Sequence, residues 1–241
     1  MPKKDTLGFE QVKRIYRQLI TRRAKALREE VAFWDKWLAT KGLEWPSEYI
    51  DRQNPDLEFQ PHLRRYIENI PDNPVHILDV GSGPLTTLGK KIGSRNIEIT
   101  ATDLLAPYYD QILDKHAIAP CVRTTFADVE NLTSKFSNNI FSMVYAKNCI
   151  DHTKNPLKAI GQMVAVVKES HFVVLEHAEN EAENHNYIQL HQWNFTKEEN
   201  DFVIWRPGMK INVTKELRDF GEIETVVSNG WLQVAIKKYR K

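Results

Sequence analysis

An α/β fold built on a mostly parallel sheet is what this 241-residue sequence predicts. Three observations carry that reading. From residue 75 onward, short β-rich runs alternate with helical segments, the pattern of βαβ units. The first run, Val75–Val80, stops at a glycine turn, Gly81-Ser82-Gly83. Near the end of the chain Asn229-Gly230 joins two alternating runs, a strong hairpin signal.

The elements follow in order. Val12, Ile15, Tyr16, Leu19, Ile20, Leu27, Trp34 and Leu38 recur at spacings of three, four and seven. That is one face of a helix, long enough to be one helix or two in succession. Gly42 suits its C-cap and Trp45-Pro46 a break. Residues 46–58 read as loop with a short helix, and residues 61–70 as a helix with Pro61 in its first turn. Strands are expected at 75–80, 97–102, 122–126, 140–145 and 172–175. Helices are expected between them at 86–92, 108–116 and 156–167. The tail predicts a hairpin around Arg206-Pro207-Gly208-Met209, a short helix at 214–220 capped by Thr214, and the Asn-Gly hairpin.

Composition narrows the class. With 33 basic and 32 acidic side chains and 41% apolar residues, the chain reads as a nearly neutral globular protein. Bulk positive charge for coating nucleic acid is lacking, so a nucleic-acid partner is not expected. No apolar run approaches the roughly 20 residues of a membrane span. Cys121 and Cys149 form no spacing motif. A reducing, cytoplasmic setting is the expectation. The charge is uneven: residues 1–41 hold eleven Lys/Arg and five Asp/Glu. Arg14, Arg17, Arg22 and Arg23 there are candidates for contact with an anionic acceptor.

The segment Asp79-Val80-Gly81-Ser82-Gly83-Pro84-Leu85 carries the chemistry. A glycine turn between a first strand and its crossover lets a ligand approach the backbone at the carboxyl edge of the sheet. A dinucleotide would want a third glycine at Thr86, which argues against a nicotinamide oxidoreductase. Asp79 would repel a pyrophosphate and suits a cationic ligand.

On these residues the sequence resembles the class I methyltransferases that use S-adenosylmethionine, whose first motif reads acidic-x-G-x-G. The resemblance spans about residues 75–238. It implies a Rossmann-like, mostly parallel seven-stranded sheet with helices on both faces, a C-terminal antiparallel hairpin and an N-terminal helical extension. Residues 1–70 would form the extension or lid, residues 71–241 the catalytic domain, and residues 178–213 a substrate-side insertion. S-adenosyl-L-methionine is the implied cofactor. Asp79, Gly81, Ser82 and Gly83 would form the cofactor turn. Asp103, with Leu104 beside it, would take the ribose hydroxyls. Asp128 and Val129 would meet the adenine, and Ala146 and Lys147 would close the far side. Asn148-Cys149-Ile150-Asp151-His152 resembles the leucine-acid-histidine step of the bacterial small-molecule methyltransferases, with Ile150 and Asp151 departing from it and Pro84 standing where a third glycine is common.

Methyl transfer from a sulfonium is an in-line displacement, and a hydroxyl acceptor also needs a base. His152, His177 and His191 are the candidates. Tyr187, Gln192 and Trp193, near His191, are candidate acceptor contacts. His177, Glu179, Glu181, His185 and His191 also invite a metal reading, but they lack tight ligand spacing and no metal site is expected. The predicted function is O-methylation of a small molecule such as a sugar, a glycan precursor or a secondary metabolite. The alternatives are methylation of RNA or protein, or a binding protein that keeps the fold without catalysis.

Overall fold

A computed structural model describes the backbone of residues 9–240 and the side chains of residues 21–240. The side chains of Arg14 and Arg17 therefore lie outside the described residues.

Among the described residues, ten strands form two sheets. Strands β1 (Val75–Val80), β2 (Ile97–Asp103), β3 (Thr125–Phe126), β4 (Phe141–Lys147), β5 (Val167–Ala178), β9 (Gly221–Ser228) and β10 (Trp231–Lys238) make the main sheet. Its order is β3-β2-β1-β4-β5-β10-β9. The first five are parallel, and β10 runs antiparallel to both β5 and β9. Strands β6 (Asn194–Glu198), β7 (Asp201–Arg206) and β8 (Met209–Asn212) form a small antiparallel sheet.

The apolar runs explain why the main sheet is buried on both faces. Met143 and Tyr145 of β4 enter one core with Leu63, Ile67 and Leu88. Val144 and Ala146 enter the opposite core with Ala159, Ile160 and Met163. That alternation is the two-residue period of a strand. The second core is fed by helix α5 (Pro156–Val166), whose first turn is capped by the Asn155 side chain accepting from Lys158 N. Phe195, Phe202 and Ile204 of the small sheet join it, so that sheet is anchored to the same core.

The long periodic stretch is a single helix, α1 (Phe9–Ala39). Trp37 and Leu38, each 2% exposed, pack with Leu85, Tyr109, Ile112 and Leu113. Tyr109, Ile112 and Leu113 belong to helix α4 (Ala106–Lys115). Asp35 reinforces the contact by accepting from Lys115 Nζ at 2.7 Å and pairing with His116 Nε2 at 2.8 Å. Helix α2 (Pro46–Gln53) sets Tyr49 against Trp37, with ring centroids 5.4 Å apart.

The expected helix at 86–92 does not form. Its donors find partners outside any helical ladder: Gly89 N donates to Gln60 Oε1 and Lys90 N to Leu57 O, while Lys91 O accepts from Phe59 N. The crossover from β1 to β2 is therefore irregular, held against the segment before helix α3 (Pro61–Arg64). That helix is shorter than the expected 61–70, and β3 is only two residues long. Helix α7 (Val213–Glu216) begins one residue early, because Asn212 caps it and Thr214 Oγ1 accepts from Phe202 N instead. No helix among the described residues is long and apolar enough to cross a membrane.

Candidate active site

A cavity of about 780 Å³ opens at the carboxyl ends of β1, β2 and β4, roofed by α1. That size is ordinary for a small-molecule site. The turn after β1 forms its floor. Gly81 and Gly83 both have φ +65°, a backbone region that disfavours any residue with a Cβ. Close packing adds to this. A Cβ at Gly81 would lie 2.4 Å from Cys149 Sγ, and one at Gly83 would lie 2.9 Å from the Trp34 ring. Gly81 N and Ser82 N both donate to Thr102 O, tying the turn to β2.

Of the carboxyl groups that line the cavity, Asp79, Asp103 and Asp128 stand at or just beyond strand ends. Asp79 is 2% exposed and accepts from Thr86 Oγ1 at 2.5 Å. Burial raises its pKa to about 7. Asp103 accepts from Leu105 N at 2.8 Å and Gly83 N at 3.2 Å, so it fastens the glycine turn to the next element. Burial raises it to about 6, against the pull of those two bonds. Asp128 accepts from Glu130 N and from Asn131 Nδ2, capping the single-turn helix that follows. Leu104, Val129 and Lys147 also line the cavity, while Ala146 is fully buried in the sheet behind it.

The roof comes from α1. Trp34 donates from Nε1 to Glu30 at 2.9 Å and stands edge-on to Trp37 and Tyr109. The Arg52 guanidinium lies 5.3 Å from the ring centres of both Trp34 and Trp37 and pairs with Glu48. Arg22 and Arg23, the candidate anion contacts, donate instead to main-chain carbonyls, at Tyr187 O and His152 O. They fasten the roof to the cavity wall.

The wall opposite the glycine turn holds an Asp–His cluster. His191 Nδ1 lies 3.0 Å from Asp151 Oδ2 and 3.3 Å from His152 Nε2. His152 Nε2 is 3.5 Å from Asp151 Oδ2. Burial lowers the His191 pKa, but the hydrogen bond and charge of Asp151 outweigh it and leave the group above its ordinary value. Burial raises Asp151, but His152, His191 and His177 outweigh it and hold the carboxyl below its ordinary value. Asn148, at φ +49°, joins the strand ends. Its N donates to Glu176 O, its Oδ1 accepts from Ala178 N, and its Nδ2 donates to Glu181 Oε1. That bond sets Glu181 of helix α6 (Glu181–Asn184) 3.8 Å from His191 Nδ1.

His152 and His191 thus line the cavity, and His177 does not. His177 is 1% exposed, packs on Phe195, and faces Asp151 Oδ1 at 3.8 Å. Burial lowers its pKa to about 4. Tyr187, Gln192 and Trp193 also fall outside the lining. Trp193 is core, donating to Thr153 O, with the Arg206 guanidinium 4.1 Å from its ring centre. Gln192 and Tyr187 brace the loop that presents Gln189, Leu190 and His191. Asp151 and Glu30 are absent from the site residues the sequence predicts, while Glu181 and His185 enter there only through the metal reading. The adjacency of Asp151 to His152 was the signal pointing to Asp151.

A parallel run of five strands ending in an antiparallel sixth, with the seventh strand beyond it, decides the architecture. The fold is that of a class I methyltransferase. No protein-family model and no curated protein sequence matches the chain. Solved structures do. The chain is similar to the CurJ carbon methyltransferase, with 15% identity, a TM-score of 0.53, and coverage of 74% of this chain and 52% of that one. It is similar to the carbon methyltransferase domain of the citrinin polyketide synthase, with 13% identity, a TM-score of 0.50, and coverage of 74% and 51%. A Methanococcus maripaludis protein named as a candidate S-adenosyl-L-methionine-dependent methyltransferase matches at 12% identity, a TM-score of 0.52, and coverage of 88% and 93%. The chain spans about half the length of the two carbon methyltransferase chains. The methyltransferase fold places its ligand edge where the cavity lies, at the carboxyl ends of the parallel strands.

Proposed function

We propose that the chain is an S-adenosylmethionine-dependent methyltransferase that methylates a small molecule at a hydroxyl oxygen. One observation carries the reading. The glycine turn, the carboxylates Asp79, Asp103 and Asp128, and the imidazoles His152 and His191 all face one cavity, with Asp151 buried behind the two histidines. In this reading Gly81, Ser82 and Gly83 receive the cofactor's amino-acid end, with the Asp79 carboxylate near its cationic groups. Asp103 accepts from the ribose hydroxyls and Asp128 from the adenine amine. Leu104 and Val129 flank the base, and Lys147 and Ala146 lie behind the methyl group. Trp34 and Leu27 close the roof and exclude water.

The chemistry then needs little more than alignment and a proton acceptor. The acceptor O–H gives its proton to the histidine cluster, with His191 held by Asp151 as the base. The oxygen lone pair forms the new O–CH₃ bond. Bound S-adenosylmethionine would supply the methyl group, with the electron pair of the broken CH₃–S bond left on sulfur as a neutral thioether. His177 supports this from behind Asp151 and does not touch the acceptor. Tyr187, Gln192 and Trp193 shape the loop that carries His191. Transfer to carbon is the second reading. Two chains of this fold are named carbon methyltransferases, and an acidic C–H would need the same base. NMR of the product distinguishes O–CH₃ from C–CH₃.

Calorimetry tests the cofactor assignment. Asp103→Ala is expected to weaken S-adenosylmethionine binding about 10- to 100-fold, through charge-assisted hydrogen bonds contributing about 1.5–3 kcal/mol. No binding to the unaltered protein at millimolar cofactor would overturn the proposal. An unchanged affinity in the variant would overturn the role of Asp103.

The raised carboxyls add a pH dependence. In the cofactor-free protein burial favours protonated Asp79 and Asp103, at about 7 and about 6. A cationic ligand selects the ionised forms, so binding expels protons held below those values. Affinity is expected to fall as pH drops from about 7.5 to about 5.5, by at most about tenfold per unit for each proton expelled. Stability of the free protein moves the other way. A carboxyl with a raised folded-state pKa favours the fold at low pH, and that contribution is lost as pH rises through the folded value. Calorimetry in buffers of differing ionisation enthalpy measures the proton release, and its absence near pH 6 would refute the linkage.

A further inference from the structure

The three cluster atoms are spaced for something larger than a proton. Bonds of about 2.0–2.2 Å at tetrahedral or octahedral angles set neighbouring donor atoms about 3.0–3.5 Å apart. Asp151 Oδ2, His152 Nε2 and His191 Nδ1 are separated by 3.0, 3.3 and 3.5 Å. They group as a potential set of metal ligands. Protons alone leave this arrangement incomplete. His191 Nδ1 carries at most one hydrogen, so it cannot donate to both Asp151 and His152. Two imidazole nitrogens 3.3 Å apart repel if both are protonated and leave Asp151 without a donor if neither is, while a single proton on His191 Nδ1 serves Asp151 and leaves the His152 Nε2 lone pair only a shared contact. Further acceptors stand by. Asp151 is 2% exposed with Oδ1 unpartnered, and Glu181 Oε2 is buried and unpartnered. Glu181 Oε1 is 3.8 Å from His191 Nδ1, within reach as a fourth ligand.

We propose that Asp151, His152 and His191 bind a divalent first-row transition metal, of the zinc or ferrous class, on the cavity wall. Two imidazoles and one carboxylate suit borderline dications, and not magnesium or calcium, which prefer all-oxygen sets. A three-residue set would leave positions open, and His152 and His191 both stand on the cavity lining. His177, at 3.8 Å from Asp151 Oδ1, and Arg23, bonded to His152 O, orient the ligands from behind. The inference rests on the proposed function for its role. An acceptor offering two oxygens, such as a hydroxy or oxo acid, would chelate through the open positions. With the metal bound, His191 would act as a ligand and not as the base: the acceptor's hydroxyl or enol proton would leave to solvent with a lowered pKa, and the freed oxygen or carbon would take the methyl group as its bond to sulfur breaks.

The test uses the full chain dialysed against a chelator, then titrated with Zn²⁺ by calorimetry and with Co²⁺ by visible absorption. One equivalent of each is expected to bind, with cobalt giving a d–d band and millimolar Mg²⁺ not competing. His152→Ala and His191→Ala are each expected to weaken binding more than about 100-fold. Both side chains are partly exposed, and circular dichroism verifies that the variants fold. Acetohydroxamate, a bidentate oxygen donor, is expected to shift the cobalt band. No binding of either metal at millimolar concentration, or binding indifferent to both variants, would overturn the site. An unmoved cobalt band would overturn the chelated acceptor. S-adenosylmethionine calorimetry on the same chelator-treated protein separates the two proposals. Cofactor binding without metal binding removes only the metal, and metal binding without cofactor binding removes only the methyltransferase reading.

Discussion

Replacing His191 with alanine is expected to slow methyl transfer about 10²–10⁴-fold, the usual loss when a positioned base is removed. Cofactor affinity is expected to stay nearly unchanged, because the assigned cofactor contacts lie on the glycine turn and at Asp103 and Asp128. The physical reason is the position of the imidazole. It lines the cavity, and Asp151 holds its Nδ1 at 3.0 Å. With His191 gone, Asp151 remains buried with its Oδ2 facing only His152 at 3.5 Å. Single-turnover transfer of a labelled methyl group, run beside cofactor calorimetry, makes the measurement. A normal rate would remove the cluster from the mechanism. A loss of cofactor binding matching the loss of rate would place His191 in the cofactor site instead. His177→Ala serves as a contrast. His177 is walled off from the cavity, so its loss is expected to act through Asp151 and through packing on Phe195.

Replacing Trp37 with alanine is expected to destabilise the protein by about 3–5 kcal/mol, the range for truncating a buried aromatic. Trp37 is 2% exposed and shares its core with Leu38, Leu85, Tyr109 and Ile112. It also packs on Tyr49 and Trp34, and the Arg52 guanidinium lies against its ring. These contacts fix α1 to the sheet domain, so the same substitution is expected to loosen the cavity roof and weaken cofactor binding. Urea unfolding followed by far-UV circular dichroism gives the stability. Unchanged stability would mean that α1 is a loosely held lid, and not part of the domain's core.

These two expectations fall on residues of different legibility. Trp37 lies beside a periodic stripe that the sequence displays openly, and the helix follows from that period. Strands β1 and β2 were equally plain, because β-branched runs end at Gly81 and Asp103. The β9–β10 hairpin was plain because Asn-Gly sets its turn, with Ser228 paired to Trp231. The crossover at 81–96 misled for a physical reason. Leu85, Leu88 and Ile92 have helical spacing, yet Leu85 enters one core and Leu88 and Ile92 another. Their backbone donors are met by Gln60 and Leu57, which no local pattern announces. Strand β6 was hidden because Asn194–Glu198 mixes polar and apolar residues. Its Phe195 matters only once it packs on His177 and Phe202.

The sequence by itself determined the parallel sheet, the glycine turn and the strand-end carboxylates. Each is a local matter of β-propensity, backbone freedom or chain punctuation, readable within a few residues. Only the tertiary structure decided which histidines meet. His152 and His191 stand 39 residues apart, joined by the packing of helix α6 and the small sheet against the end of β4. Asn148 binds Ala178 and Glu181 there, and Phe195 locks the small sheet into the core. The Asp151–His152–His191 cluster is a product of long-range apolar burial, which has no spacing signature in the chain.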